Sequence, residues 1–129
     1  MKVADVVFIE DDKVLLVQQR KKIAEGLWSY PGGAVEDGET VKQAVVREVN
    51  EELGVEFVNP VFLKHYPIMT SSGELTISTF TGKLAGNIKL KEDELSAFKW
   101  FSLEELRTST ELRGEIVIKQ AEDALIQSK

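Results

Sequence analysis

Apolar and polar positions divide the chain into a succession of short elements. Val3 to Ile9 is β-branched and apolar, Val14 to Val17 is a second apolar run, and polar Glu10-Asp11-Asp12-Lys13 between them predicts a hairpin. Gln18 to Glu25 is polar and basic, with Arg20, Lys21 and Lys22, and reads as a loop. Leu27 to Tyr30 is a short extended piece, and Pro31-Gly32-Gly33 is expected to break any regular element. Further along, Phe57 to Met69 and Thr76 to Leu84 read as strands joined through Thr70-Ser71-Ser72-Gly73. Lys89 to Ser96 is a charged connection, Phe98 to Phe101 a short strand and Leu103 to Arg107 a helical turn. A closing helix over Glu115 to Ile126 places Ile116, Ile118, Ala121 and Leu125 at approximately helical spacing.

The clearest element lies between these groups. Thr40-Val41-Lys42-Gln43 has the capping-box form, and Gly54 stands where a helix-ending glycine belongs. The helix of about 13 residues between them has Val45, Val46, Val49 and Leu53 on one apolar arc. Ala44, Glu48, Glu51 and Glu52 fall on another, so the helix carries an acidic stripe. No internal repeat, low-complexity tract or linker interrupts the 129 residues, which read as one domain over 1–129. Several strands with two substantial helices predict an α/β or α+β sandwich.

Composition narrows the chemistry. With no cysteine, the chain has no disulfide, thiolate nucleophile, zinc–thiolate site or iron–sulfur cluster. No apolar run approaches the roughly 18 residues that span a bilayer, and Asp5 interrupts any signal-like start, so a cytoplasmic protein without membrane partners is expected. The net charge of -6 argues against binding extended nucleic acid. That charge is local. Glu36 to Glu56 holds seven acids and two bases, while the rest of the chain holds 15 acids and 14 bases. Clustered carboxylates repel, and Glu48, Glu51 and Glu52 at i, i+3 and i+4 converge on one helix surface. A hard divalent cation, Mg²⁺ or Mn²⁺, relieves that repulsion and bridges carboxylates to phosphates. Gly32 and Gly33 permit close backbone approach, so a main-chain carbonyl at Gly33 is a candidate further ligand.

The spacing Gly33-x5-Glu39-x7-Arg47-Glu48-Val49-Asn50-Glu51-Glu52-Leu53-Gly54-Val55 resembles the signature of the Nudix hydrolase family, G-x5-E-x7-R-E-U-x-E-E-x-G-U, with U bulky and aliphatic. All nine specified positions are filled within residues 33–55. Trp28-x-x-Pro31-Gly32-Gly33 upstream and Glu94-x5-Trp100 downstream also resemble the family. The resemblance implies an α/β/α sandwich with a mixed central sheet and metal-dependent hydrolysis of a nucleoside diphosphate linked to another moiety. It implies Glu51 and Glu52 as metal ligands and Glu48 as ligand and candidate general base. Arg47 would orient a catalytic glutamate. Glu94 is the best match to a loop acid that joins the metals or serves as base, with Glu92 and Asp93 as rivals. Glu39 would support the loop–helix junction, together with Gly32 and Gly54.

The moiety is less specified. Arg20, at the end of the second strand, resembles the nucleotide-contacting arginine of the MutT-like nucleoside triphosphate pyrophosphohydrolases. The shortness of the chain, with no added N-terminal dimerisation segment, points the same way. Trp28 is a candidate base-stacking residue, with a core aromatic as the alternative reading; Trp100 and His65 read as structural. The downstream proline of ADP-ribose pyrophosphatases is displaced here, the nearest being Pro67, and the coenzyme A and NADH signatures are absent. Leu112-Arg113-Gly114-Glu115 is a candidate border of a base pocket. The resulting expectation is a Mg²⁺-dependent enzyme, monomer or homodimer, that cleaves a standard or oxidised (deoxy)nucleoside triphosphate to nucleoside monophosphate and pyrophosphate. An ADP-ribose or other nucleotide-sugar pyrophosphatase is the alternative within the class. A non-catalytic nucleotide-sensing module is the alternative outside it.

Overall fold

The computed structural model describes residues 1–21 and 24–129, so Lys22 of the basic loop lies outside the described residues. Strands β1 (Lys2–Glu10) and β2 (Lys13–Gln19) form the expected hairpin. Its turn is carried by Asp11 and Asp12 at φ 51° and 59°, a left-handed conformation that aspartate tolerates. Two short strands follow, β3 (Trp28–Ser29) and β4 (Gly32–Ala34). Helix α1 (Val41–Leu53) leads into the long hairpin of β5 (Glu56–Thr70) and β6 (Gly73–Ala85). Strand β7 (Leu95–Phe101) and helices α2 (Leu103–Thr108) and α3 (Ile116–Gln127) complete the described chain.

The strands run in the order β3-β2-β1-β6-β5, with β4 paired to β1 and β7 to β2. Strand β1 lies parallel to β6 and antiparallel to β2 and β4, so the sheet is mixed. Alternation along the strands sorts side chains into two cores. Ala4, Val6 and Phe8, with Leu15 and Val17, meet Val45, Val49 and Leu53 of α1. Val7, with Val14 and Leu16, meets Leu106 of α2 and Val117 and Ala121 of α3. Helices therefore cover both faces of the sheet, an α/β/α sandwich.

Four local expectations change. Gly32 and Gly33 belong to β4 instead of breaking the chain, because Gly32 pairs with Asp5 and Gly33 with Ala4. Gln18 and Gln19 extend β2 into the stretch read as a loop, through pairing with β7. On α1, Ala44 is fully buried whereas Val46 is 38% exposed, so the apolar arc is rotated toward Ala44. On α3 the buried positions are Val117, Gln120, Ala121, Ala124 and Leu125, with Ile116 and Ile118 only half-buried, because the helix docks through its Val117 face.

Candidate active site

The site is built where α1 lies against β4. Thr40 and Gln43 close the capping box at the start of α1, fixing the helix register. Gly54, left-handed at φ 63°, ends the helix, its N–H donating to the Asn50 carbonyl. Between these caps the acids of α1 sort by depth. Glu52 is buried, Glu48 half-buried and Glu51 exposed.

Backbone from β4 meets these acids directly. The Gly32 N–H donates to Glu52 Oε1 at 2.8 Å. A Cβ on Gly33 would stand 2.7 to 2.9 Å from Glu48 Cδ and both carboxylate oxygens, so the Glu48 carboxylate occupies the space glycine leaves. Burial pushes the Glu52 carboxyl up to about 8, against the Gly32 N–H and with the help of nearby Glu48 and Glu94. Burial also raises Glu48, opposed by Arg47.

Arg47 ties the junction together. Its Nε donates to Glu39 Oε2 at 2.8 Å and its Nη2 to Glu39 Oε1 at 3.0 Å, a bidentate pair. Glu39 Oε1 also accepts from the Glu36 N–H, and Arg47 Nη2 reaches the Ala34 carbonyl at 3.2 Å. The Arg47 guanidinium thereby holds the Glu39 carboxyl down to about 2. Nη1 of the same arginine donates to Glu48 Oε1 at 2.8 Å and Glu51 Oε2 at 3.3 Å.

Glu94 approaches from the segment before β7. It is half-buried, paired with Lys21 at 3.5 Å and Lys91 at 3.4 Å, and close enough to raise both Glu48 and Glu52. Its neighbours Glu92 and Asp93 are exposed. The Glu94 carbonyl accepts from the Arg20 N–H at 2.9 Å, which joins the end of β2 to this segment; the Arg20 side chain is exposed.

Glu48, Glu51, Glu52 and Glu94 offer only hard oxygen donors, a set that suits Mg²⁺ or Mn²⁺, and the Gly33 cradle brings main chain beside them. Among the described residues no three acids converge tightly enough to surround one ion, since Arg47 holds Glu48 and Glu51.

A cavity of about 430 Å³ opens on the other side of Gly32 and Gly33. Asp5 and Gln120 line its depth, Ile77 and Tyr30 its walls, and Arg113 its edge. The Leu112–Glu115 segment thus reaches the cavity through Arg113. Trp28 does not. Its ring packs edge-on to Phe101 at 5.1 Å and lines a different pocket with Lys99 and Glu105. Trp100 is half-buried against the α1-side core, and the His65 ring is exposed with Nδ1 2.9 Å from Ser78 Oγ. Sequence reasoning passed over Asp5 and Gln120. The one available signal was an acid within the apolar Val3–Ile9 run, where a core strand tolerates a charge only if it is partnered.

A mixed sheet between helices, with glutamates from one helix set against a Gly-Gly strand, makes an α/β/α protein with a carboxylate-rich helix face beside main chain. The NUDIX domain family model matches residues 1–121, and the chain belongs to the Nudix family. A Caenorhabditis elegans protein named for the nudix hydrolases is 34% identical over 120 residues, covering 90% of this chain and 32% of that protein. NAD-capped RNA hydrolase NudC of Pseudomonas aeruginosa is 37% identical over 103 residues, 78% of this chain and 36% of that one. The chain thus spans about a third of the length of these two relatives. A NUDIX hydrolase from Nitrosomonas europaea has the same fold at a TM-score of 0.86 and 28% identity, covering 99% of this chain and 90% of that one. Members of the family are divalent-metal pyrophosphohydrolases of nucleotide-linked substrates. Among the described residues no helix is long and apolar enough to cross a membrane.

Proposed function

We propose that the chain cleaves the diphosphate linkage of a (deoxy)nucleoside triphosphate, releasing nucleoside monophosphate and pyrophosphate in a Mg²⁺-dependent reaction. The observation that carries this reading is the position of Gly32 and Gly33, which contact the α1 acids on one side and border the 430 Å³ cavity on the other. A nucleoside seated in that cavity directs its phosphates across the glycines toward Glu48 and Glu52.

Glu51 and Glu52, with Glu48, Glu94 and the Gly33 carbonyl, would hold the metal. When bound, it neutralises phosphate oxygens, lowers the pKa of coordinated water and stabilises the departing phosphate. Arg47 leaves Glu48 Oε2 free while fixing Oε1, so Oε2 is the atom that accepts the proton of the attacking water. Glu39 keeps Arg47 in place. The exposed Arg20 side chain supplies a cation for the phosphate chain. Trp28 stacks on the base only through a rearrangement that frees it from Phe101.

The test is product analysis of a panel of triphosphates, ADP-ribose and nucleotide sugars with Mg²⁺. Pyrophosphate and nucleoside monophosphate from a triphosphate, lost in Glu51→Gln, are the expected result. Turnover confined to ADP-ribose or nucleotide sugars would replace the triphosphate reading. Binding of triphosphates without turnover of any compound would make the chain a sensor.

A further inference from the structure

Glu94 is held by the chain at its backbone and at its carboxylate. Strand pairing sets Gln19 opposite Leu95, and the Arg20 N–H extends that contact by donating to the Glu94 carbonyl at 2.9 Å. Lys21 follows directly, its own carbonyl accepting from the Ala24 N–H at 3.0 Å. On the other side the Lys91 N–H donates to the Glu52 carbonyl at 3.0 Å. The N–H groups of Glu94 and Leu95 donate back to the Lys91 carbonyl at 3.0 and 2.9 Å. Main chain therefore brings two lysines to one carboxylate, the first from the end of β2 and the second from a segment tied to α1.

Both lysines reach the same atom. Nζ of Lys21 stands 3.5 Å and Nζ of Lys91 3.4 Å from Glu94 Oε1. Glu94 in turn is close enough to Glu48 and Glu52 to oppose their ionisation, while Lys21 favours that of Glu52. The two ammonium groups thus offset part of the negative charge gathered where Glu94 meets the α1 acids. Any further cation drawn to Glu94 meets a carboxylate whose charge is already countered.

We propose that Lys21 and Lys91 are positioning residues, a clamp that orients Glu94 through Oε1 and competes with a divalent cation for its carboxylate. The proposal rests on the reading of Glu94 as a metal carboxylate. Competition has a direction. Removing either ammonium leaves Glu94 less countered and tightens the binding of a divalent cation. Loss of a merely structural contact has the opposite sign, because a Glu94 that swings free must be ordered when the ion binds. The clamp keeps the acid oriented and the bound ion exchangeable.

The experiment titrates Mn²⁺ into nucleotide-free protein by calorimetry at low ionic strength, with thermal melts to show that each variant is folded. Lys21→Met and Lys91→Met should each lower the Mn²⁺ Kd about threefold, the scale of a partly exposed ion pair, and the double variant should lower it further. Lys21→Arg keeps the charge and should match the unmodified protein. In a Glu94→Gln background no anion is left to clamp, so the same lysine substitutions should leave Kd unchanged. That non-additivity separates a clamp on Glu94 from the general field of surface charge. Should one lysine variant fail to fold, the other decides. A Kd unchanged or raised in the lysine variants, or lowered equally with and without the Glu94 carboxylate, would overturn the clamp and leave the proposed function standing. No Mn²⁺ binding by the unmodified protein would overturn the metal reading and the clamp with it.

Discussion

Two adjacent glycines give opposite predictions for the same substitution. Gly33 has no left-handed φ to protect, and an added Cβ would meet only the carboxyl end of Glu48, at 2.7 to 2.9 Å. A flexible side-chain end can move aside, so Gly33→Ala should cost the fold at most about 1 kcal/mol, or about 4 °C in Tm for a domain of this size. The displaced group is the proposed catalytic carboxylate, and moving it by about 1 Å should lower kcat on the order of 100-fold. Gly32 is different. At φ 153° its Cβ would lie 2.2 Å from the Ala4 carbonyl oxygen and 2.6 Å from the Asp5 Cα, backbone atoms of a central strand that cannot yield. Overpacking together with backbone strain puts Gly32→Ala at about 3 to 5 kcal/mol, a Tm loss on the order of 10 to 20 °C. Thermal melts paired with pyrophosphate-release assays at saturating substrate read both quantities. A Gly33→Ala protein with unimpaired kcat would refute the placement of Glu48, and equal Tm losses in the two variants would refute the steric reasoning.

Three further outcomes follow from buried polar groups. Glu52→Gln keeps an acceptor for the Gly32 N–H and removes a carboxyl whose ionisation burial opposes, so stability at neutral pH without divalent cations should rise by about 1 to 3 kcal/mol, while turnover falls on the order of 100-fold or more; differential scanning calorimetry and a Mg²⁺ assay read the two changes. Asp5 has its carboxyl raised by burial from the ordinary 3.8 to about 6, so the folded state binds the proton more tightly. Stability should therefore decline as pH rises from about 4 to about 6, by about 3 kcal/mol in urea titrations compared with Asp5→Asn; a difference that is flat with pH would refute it. Tyr30→Phe removes the buried hydrogen bond to the Val117 carbonyl and should cost about 1 kcal/mol in the same titrations.

What was legible in the sequence was mostly local. The capping box, the helix-ending glycine and the i, i+3, i+4 acids are set by residues within a few positions of one another, and α1 takes those bounds. The β1–β2 hairpin has the same character. Strand β4 was hidden because Gly-Gly reads locally as a breaker, whereas its pairing with β1 requires glycine for close approach. The cluster of Asp5, Thr79 and Gln120 joins residues 74 and 115 positions apart, a distance no periodic pattern spans. Trp28 illustrates the converse. Stacking on a base and packing in the core were both open readings of this aromatic, and the strand pleat turns its ring to Phe101.

The acids of α1 are compensated unequally, and that inequality separates support from chemistry. Arg47 meets Glu39 with two hydrogen bonds and Glu48 and Glu51 with one each, so these three carry a permanent counter-charge from within the chain. Glu52, the most deeply buried of them, has the Gly32 N–H and no guanidinium or ammonium within hydrogen-bonding distance among the described residues. A single neutral donor does not offset the desolvation of a carboxylate. A buried acid left so poorly matched gains little for the fold, whereas an external divalent cation would turn that mismatch into binding energy. On the proposed function, Glu39 and Arg47 are framework that keeps Glu48 oriented, and Glu52 is the position where the fold would accept a stability cost for a metal.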